Sequence, residues 1–519
     1  MLSFGTAGLR GPVRPGPDGM NAETVARTTA GLAAWLIGRG AAGEIVVVGR
    51  DARHGSAEFA TVTCEVLAAA GFDVVALPDP GPTPLVAFAT RALDAAAGVM
   101  ITASHNPPGD NGYKVYLGAD VADPAGRGAQ LTGPADREIE AAIGAAGEVS
   151  LPARQRVVPD ARARAVRADY LAALDRRFAG HPRGPLRIAL TPMHGVGGEL
   201  AVEALRRNGF DDVHVVAEQF APDPDFPTVA YPNPEEPGAA DRLLRLAADV
   251  GADLAIALDP DADRCAIGVA GTEGWRMLTG DETGALLGTW VLDRLPAGGP
   301  TPVVASSIVS GTLLHTAARQ RGAVSRRTLT GFKWLVRAGE PLVYAYEEAL
   351  GHCVDPAVVR DKDGISATVA SALLAAAWAG RGGLPAALAE LAARHGEHVT
   401  APRSLRLDEP AEIAAIMTAL RTDPPRSLAG VPVSCTDFAC RTDGPTTDGV
   451  ELVGRRDDGV EVRVFARPSG TEPKLKYYGQ VSAPPATGNL SPTRHELSQL
   501  LARALADLPP TGSGEGHRR

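Results

Sequence analysis

Short apolar runs that stop at polar loops are the feature that most constrains how this 519-residue chain can fold. The run 95–101 ends in residues 102–107 (TASHNP), and the run 254–258 ends in residues 259–264 (DPDADR). Such runs, bounded by turn residues, are typical of buried β-strands. In open α/β sheets, ligands bind at the carboxyl edge of the strands. The two polar loops therefore predict a binding site built at strand ends.

The same pattern occurs three times along the chain. In the first unit the run 45–49 precedes residues 50–53 (RDAR), and in the second the run 186–190 precedes a helical stretch at 198–208. In the third unit, a run at 303–305 and a helix near 312–321 precede the run 342–346, which Glu347 and Glu348 follow directly. Strands that alternate with helices predict α/β sheets covered on both faces. Three such units suggest a multidomain protein with one shared cleft.

The last part of the chain differs from these units and is α+β in character. It contains a helix near 410–420, a hairpin with arms 449–455 and 460–466, a strand at 475–478 and a closing helix near 493–508. We expect linkers near 177–184, 295–302 and 398–406. The resulting prediction is four domains and a disordered tail, at residues 1–178, 184–296, 301–398, 406–508 and 509–519.

Composition excludes several classes of function. Hydrophobic content of 45% and charged content of 22% are those of a soluble globular protein. A net charge of -10 disfavours binding to nucleic acid or to a membrane surface. No apolar run approaches the ~18 residues of a membrane span, and the start of the chain lacks a secretory signal. We expect a cytoplasmic protein, a monomer or homodimer, with no segment ahead of the first motif.

The five cysteines favour no disulfide framework and no zinc site. They are odd in number and scattered, and only Cys435 and Cys440 lie close in sequence, without the paired spacing of a zinc site. We expect reduced, buried thiols.

Ser104 is a candidate for group transfer because it follows a predicted buried strand. A loop serine by itself is usually a cap or turn residue. His105 is adjacent, but neighbours along an extended chain point to opposite faces, so we expect no Ser–His relay. Lys114 lies close enough in sequence to supply positive charge.

Asp259, Asp261 and Asp263 alternate by two, so in an extended loop their carboxylates would lie on one side. Crowded like charges are costly unless a cation neutralises them. Hard oxygen ligands with room for a phosphate oxygen suit Mg²⁺, and we predict one ion per chain. A solvated acidic turn is a weaker explanation, because the loop follows a buried strand and contains a proline.

Other motifs carry chemistry less specifically. The loop 467–473 (RPSGTEP) offers a guanidinium, hydroxyls and a flexible backbone that suit a phosphate. Residues 4–11 (FGTAGLRG) are glycine-rich without a dinucleotide fingerprint. Glu347 and Glu348 could bind sugar hydroxyls or begin a helix. Residues 331–334 (GFKW) are either a binding loop or core, and His194 and His352 are structural by default.

Taken together, the motifs FGTAGLRG, TASHNP, GFKW, YEEALG and RPSGTEPKLKYY resemble the α-D-phosphohexomutase superfamily, the phosphoglucomutase/phosphomannomutase enzymes. They are most similar to its phosphoglucomutase-2/phosphopentomutase branch. The resemblance extends from residue 4 to about residue 478 in the order of the family. It implies four domains around a cleft: three α/β mixed-sheet domains and a C-terminal α+β domain with a TATA-binding-protein-like fold.

The resemblance also implies roles for individual residues. Ser104 would be the phosphoserine, and Asp259, Asp261 and Asp263 would bind Mg²⁺ beside it, with Ser104 as a further ligand. The candidate catalytic residues are Ser104, Arg10, Lys114 and His105. The candidate substrate-binding residues are Glu347, Glu348, Gly331, Phe332, Lys333, Arg264, Arg467, Ser469, Gly470 and Thr471.

One departure from the family bears on the substrate. Many phosphohexomutases have a serine two residues after the glutamate, and this chain has Ala349. The substitution removes one sugar contact and leaves the identity of the sugar open.

The implied activity is a phosphosugar mutase that interconverts sugar 1-phosphate and 6-phosphate through a sugar bisphosphate, which also serves as activator. Glucose phosphate is the first choice, followed by mannose phosphate. The alternative is a phosphopentomutase acting on ribose or deoxyribose 1-phosphate. A Mg²⁺-dependent phosphatase with Asp259 as nucleophile and a non-catalytic sugar-phosphate sensor are more distant alternatives.

Overall fold

The computed structural model describes residues 2, 8–147, 157–407, 409–442, 444, 446–469, 474–485 and 492–509. The chain divides into two compact units. The first, here called the large unit, comprises Met1–Ser306 and Ala323–Ala386, and the second, the small unit, comprises Ser307–Gly322 and Ala387–Arg519.

The first sheet has the strand order β1-β5-β4-β2-β3, with β6 paired to β5. Its inner strands β2 and β4 are parallel and, apart from Arg50 at the end of β2, contain only apolar residues and glycine, as expected for strands covered on both faces. The strands are β1 (Leu9–Pro12), β2 (Ile45–Arg50), β3 (Asp73–Ala76), β4 (Ala97–Ile101), β5 (Asp110–Leu117) and β6 (Ala129–Gln130). The helices are α1 (Ala22–Gly38), α2 (Ser56–Ala69), α3 (Thr83–Ala92), α4 (Ala135–Ala145) and α5 (Ala161–Arg177).

The second sheet has the order β11-β10-β9-β7-β8. Its central strand β9 is fully buried and parallel to β7. The strands are β7 (Ile188–Thr191), β8 (Val213–Val215), β9 (Leu254–Leu258), β10 (Cys265–Gly271) and β11 (Gly274–Met277). The helices are α6 (Gly198–Arg207), α7 (Ala217–Phe220), α8 (Asp241–Val250) and α9 (Gly280–Leu292).

The third sheet has the order β13-β12-β14-β15. Its strands are β12 (Val303–Ser307), β13 (Val324–Thr328), β14 (Leu342–Glu347) and β15 (Gly351–Cys353). The helices in this part of the chain are α10 (Leu313–Gln320), α11 (Phe332–Leu335), α12 (Gly364–Trp378) and α13 (Gly383–His395).

All three sheets share one topology, which explains where the polar loops lie. In each sheet a buried central strand (β4, β9 or β14) turns back into an antiparallel neighbour (β5, β10 or β15). We call the three connections the serine loop (residues 102–109), the aspartate loop (residues 259–264) and the glutamate turn (residues 348–350). The predicted alternation of strands and helices, with a polar loop at the end of a buried strand, is confirmed.

The fourth sheet is antiparallel, with the order β16-β22-β21-β20-β19, and a two-stranded ribbon accompanies it. The strands are β16 (Glu397–Arg406), β17 (Ser427–Leu428), β18 (Val431–Pro432), β19 (Ser434–Asp437), β20 (Val450–Arg455), β21 (Glu461–Pro468) and β22 (Lys474–Ala483). The helices are α14 (Pro410–Thr422) and α15 (Arg494–Ala506). The hairpin and closing helix predicted from the sequence are thereby confirmed.

Two expectations are wrong. The linker expected at 398–406 is part of β16, and each residue of that strand pairs with β22. The cysteines are free thiols, but Cys435 and Cys440 are exposed, because the first lies on the edge strand β19 and the second in the turn that follows it. The expected disordered tail falls outside the described residues except for Pro509. No helix of the described part of the chain is long and apolar enough to cross a membrane.

Candidate active site

The serine loop is the hairpin between β4 and β5, and its backbone is held in an unusual conformation. Ser104 has a φ of 53°, in the left-handed region that non-glycine residues seldom adopt. Its N–H donates to Thr102 Oγ1 at 2.9 Å. The buried Arg53 donates to the backbone carbonyls of Ser104 (2.7 Å), Asn106 (2.5 Å) and Pro107 (2.8 Å). These bonds fix the direction of the serine hydroxyl.

The expectation that Ser104 and His105 point apart is wrong. Ser104 Oγ lies 3.2 Å from His105 Nδ1. The extended chain assumed for that expectation does not exist here, because the positive φ at Ser104 turns the two side chains toward each other. Burial, followed by the charges of Arg264 and Arg10, lowers the pKa of His105 well below its ordinary value.

The aspartate loop connects β9 to β10 and is a tight turn, so the extended loop assumed from the alternation is also wrong. Ala262 has a φ of 50° and donates its N–H to the carbonyl of Asp259. The turn still converges the three carboxylates: one oxygen each of Asp259, Asp261 and Asp263 lies within 4.8 Å of the others. All three side chains are buried.

A hydrogen bond joins the two loops. Ser104 Oγ donates to Asp259 Oδ2 at 2.8 Å, across 155 residues of sequence. The serine hydroxyl therefore borders the carboxylate cluster directly, as a phosphoryl carrier beside a cation site would.

Buried cations neutralise part of the carboxylate charge. Lys114 Nζ lies 2.6 Å from Asp261 Oδ2 and 2.9 Å from Asp263 Oδ2. Lys362 Nζ lies 3.2 Å from the same oxygen of Asp263. Arg264 donates its backbone N–H to Asp259 Oδ1 and holds its guanidinium within 4 Å of Asp259 and Asp263.

The carboxylates respond unequally to this environment. Burial, together with the charges of Asp261 and Asp263, raises the pKa of Asp259 well above its ordinary value. Burial acts on Asp263 in the same direction, but Lys114, Lys362 and Arg264 outweigh it and hold the pKa of Asp263 low. One of the three carboxylates thus resists ionisation unless a further cation is present.

The chemistry of the cluster fits a divalent cation. Asp261 Oδ1 and Asp263 Oδ1 are buried and accept no hydrogen bond from any described residue. Two oxygens on one Mg²⁺ lie about 3 to 4 Å apart, so the cluster needs only a small contraction to bind the ion. It is the one group of three or more potential metal-binding side chains in the described part of the chain.

The glutamate turn places one acidic side chain in a buried position. Glu347, the last residue of β14, accepts the N–H of Gly331 on Oε1 at 2.5 Å. Burial, followed by the charge of Glu348, raises the pKa of Glu347 to about 7. Glu348 lies in the turn that leads into β15, so the alternative of a helix-start acidic pair is excluded.

The segment 331–334 is the start of the short helix α11. Phe332 belongs to the core around the third sheet, and its ring lies 5.4 Å from Lys362 Nζ. Lys333 is buried, and that burial lowers its pKa. The core interpretation therefore holds for Phe332, and Gly331 bonds to Glu347.

Arg10, on β1, approaches the serine loop. Its Nη1 lies 3.2 Å from Asn106 Oδ1 and 3.4 Å from the carbonyl of Ala103. Residues 4–7 of the same motif lie outside the described residues.

The predicted phosphate loop belongs to the small unit, where the structure describes Arg467 and Ser469 but not Gly470 or Thr471. Its role stays a prediction. His194 and His352, which we expected to be structural, are both buried. His194 forms a hydrogen bond with Thr228, and His352 forms one with Tyr344.

Three residues of the site were not predicted from the sequence. Arg53 orders the serine loop, Thr83 Oγ1 donates to Asp261 Oδ2 at 2.5 Å, and Lys362 pairs with Asp263. The sequence pattern could have indicated Arg53, because residues 50–53 follow the apolar run 45–49 just as the other polar loops follow their runs. The pattern indicates Lys362 less clearly, as a lysine between two aspartates just ahead of α12.

Comparison with known proteins agrees with this geometry. Sequence profiles described as phosphoglucomutase/phosphomannomutase, alpha/beta/alpha domains I, II and III match residues 1–149, 168–272 and 279–395. A probable phosphomannomutase of Haemophilus influenzae is 41% identical over 89% of this chain and 92% of its own length.

The chain belongs to the phosphoglucomutase/phosphomannomutase family. It is a phosphosugar mutase, an isomerase that transfers a phosphoryl group intramolecularly. A human phosphopentomutase is 32% identical over 96% of this chain and 88% of its own length. A phosphoglucomutase of Staphylococcus epidermidis is 33% identical over 93% and 91%.

Solved structures of the family share the fold. The crystal structure of a putative phosphomannomutase from Thermus thermophilus superimposes with a TM-score of 0.71 at 24% identity, over 97% of this chain and 99% of that one.

Proposed function

We propose that this mutase interconverts a sugar 1-phosphate and the corresponding 6-phosphate through a phosphoserine at Ser104, with glucose phosphate as the preferred substrate and mannose phosphate next. The observation that carries the proposal is the hydrogen bond of Ser104 Oγ to Asp259, within a cluster in which two buried carboxylate oxygens accept no hydrogen bond from the described residues.

The proposed reaction exchanges one phosphate ester for another. The phosphoryl group on Ser104 passes to the free hydroxyl of the bound sugar monophosphate: the P–O bond to serine breaks and a P–O bond to the sugar forms. The proton of the sugar hydroxyl passes in turn to the oxygen of Ser104 that the phosphoryl group leaves, which restores the serine hydroxyl. His105 Nδ1, 3.2 Å from Ser104 Oγ, is positioned to exchange a proton there.

The bisphosphorylated sugar then reverses its orientation and returns its other phosphoryl group to Ser104. Asp259, Asp261 and Asp263, with Ser104, would hold one Mg²⁺, which supplies neutralisation of charge on the transferring phosphoryl group. Lys114, Lys362 and Arg264 add fixed positive charge at the same place. Exclusion of water from the site distinguishes a mutase from a phosphatase.

Glu347 is proposed to accept hydrogen bonds from sugar hydroxyls, in exchange for its present bond from the Gly331 N–H. Arg467, Ser469, Gly470 and Thr471 are proposed to bind the phosphate that is not being transferred.

A pentose phosphate is the alternative substrate to the two hexose phosphates. Ala349 stands where many hexose mutases have a serine, which removes a potential hydroxyl contact. The 32% identity to a human phosphopentomutase points in the same direction.

The test is a coupled assay with Mg²⁺ and a sugar bisphosphate activator, run with glucose 1-phosphate, mannose 1-phosphate and ribose 1-phosphate. We expect Ser104→Ala to lower isomerisation at least ~10³-fold, because the phosphoryl carrier is lost. The exposed Ser498→Ala is the matched control and should retain full activity. Release of inorganic phosphate that survives Ser104→Ala would instead establish the phosphatase alternative.

A further inference from the structure

A cavity with arginines in its walls lies in the large unit, away from the carboxylate cluster. Its volume is about 270 Å³, and its walls include Arg91, Arg127, Arg176 and Asp94. We call it the arginine cavity. It borders the residues just before β4 and just after β5, whereas Ser104 follows the carboxyl end of β4. The five residues of β4 separate the two places by roughly 16 Å.

Arginine is concentrated at this cavity although the net charge of the whole chain is -10. Three guanidinium groups line it, and Arg127 lies within 4.0 Å of two carboxylates, those of Asp94 and Asp120. Helices α3 and α5 both end at this cavity, and two helix carboxyl ends contribute roughly one negative charge together. The charges at the cavity therefore nearly cancel, and a bound anion would rely mainly on Arg176, the guanidinium without a carboxylate partner among the described residues.

The three arginines differ in how many hydrogen bonds and ion pairs they already form within the protein. Arg91 donates to the carbonyls of Arg127 and Ala357, which fixes its guanidinium, while Arg127 pairs with Asp94 at 2.9 Å. Arg176 is exposed and has no hydrogen-bond or ion-pair partner among the residues described. One rigid, one exchangeable and one available guanidinium thus surround a volume suited to a small ligand.

The environment of Arg91 shows that positive charge is crowded here. Burial lowers the pKa of Arg91, and the charges of Arg360 and Arg127 lower it further. Arginine binds phosphate oxygens in pairs through its planar fork, and an anion would relieve this crowding.

We propose that the arginine cavity is a second ligand site, which binds a small phosphate-bearing anion apart from the catalytic centre. The volume suits inorganic phosphate or a compact phosphate ester and is below that typical of larger cofactors. The proposal does not depend on which sugar the mutase prefers.

The test compares binding of radiolabelled inorganic phosphate to the full chain by equilibrium dialysis at low ionic strength. Arg176→Gln removes the available guanidinium, and Arg127→Gln removes one wall charge without disturbing Arg91. Arg164→Gln is the matched control, because Arg164 lies on the same helix α5, is exposed and does not line the cavity.

We expect Arg176→Gln and Arg127→Gln each to weaken one class of phosphate binding at least about tenfold. Arg164→Gln should bind phosphate with the same affinity as the unaltered protein. The amount of phosphate bound at the catalytic loops should be the same in all variants. Competition by glycerol phosphate would assign the site to phosphate esters, and lack of competition would assign it to free phosphate. Equal binding by all four proteins, or an equal loss in Arg164→Gln, would overturn the proposal.

Discussion

At the scale of single residues, Glu347 is a carboxyl group whose pKa the fold raises into the neutral range. Its pKa of about 7 lies above the ordinary 4.5, so the folded protein binds more protons at this residue than the unfolded chain does between those values. Its contribution to stability is therefore present below pH 4.5 and is lost as pH rises through 7. The full effect is about 3 kcal/mol.

We expect Glu347→Gln to remove this loss. Unfolding free energies from denaturant titrations at about pH 5, 6, 7 and 8 should converge toward, and then favour, the variant as pH rises. Glu348→Gln should reduce the slope only in part, because the charge of Glu348 is the second cause of the shift after burial. Parallel curves for Glu347→Gln and the unaltered protein would show that Glu347 ionises normally.

Among single residues, the sequence best predicts those that lie close together in one loop after a buried strand. Ser104 and the three aspartates follow buried strands, and that position indicates a site without any tertiary information. The hydrogen bond from Ser104 to Asp259 joins different hairpins, so no local pattern specifies it. The positive φ of Ser104 is likewise set by Arg53 and Thr102, which is why the contact with His105 escaped prediction.

At the scale of elements, β16 shows why a linker was predicted where a strand exists. Residues 398–406 contain Pro402 and several polar residues, a composition typical of a joint. The strand lies at the edge of its sheet, where a proline is tolerated because one side of its backbone has no ladder partner. By contrast, β20 alternates between buried and less buried residues, β21 has a run of five buried residues, and both strands were predicted correctly as the arms of one hairpin.

The fourth sheet also contains two Arg–Glu pairs across β20 and β21 that differ mainly in burial. Arg463 Nε bonds Glu451 at 2.6 Å with the arginine side chain 4% exposed, whereas Arg455, 69% exposed, bonds Glu461 at 2.7 Å. Arg463 additionally donates to the carbonyls of Ser310 and Ile308. It thereby anchors the segment 307–322 within the small unit.

We expect Arg463→Met to lower the free energy of unfolding by about 3 to 5 kcal/mol, since it removes the buried guanidinium that donates to Glu451 and to the carbonyls of Ser310 and Ile308. Arg455→Met should cost less than about 1 kcal/mol. Hydrogen exchange should also accelerate at amides of the segment 307–322 in Arg463→Met alone. Equal costs for the two variants would refute the anchoring role of Arg463.

At the scale of the whole molecule, the division into two units determines how metal binding can be observed. The three aspartates lie in the large unit, and so do all five tryptophans, at positions 35, 275, 290, 334 and 378. Intrinsic tryptophan fluorescence therefore follows the unfolding of the unit that contains the proposed cation site. The measurement is independent of turnover, so it tests the metal without reference to the substrate.

We expect Mg²⁺ to raise the fluorescence unfolding midpoint after treatment with a chelator, because a ligand that binds only the folded state stabilises it by about 2.7 kcal/mol at a hundredfold excess over its dissociation constant. Asp261→Asn should abolish the shift, since it removes a buried oxygen that accepts no hydrogen bond from the described residues. The exposed Asp249→Asn should preserve the shift. If Mg²⁺ moved the midpoint equally in Asp261→Asn, the ion would be acting elsewhere, and the carboxylate cluster would have to be neutralised by Lys114, Lys362 and Arg264.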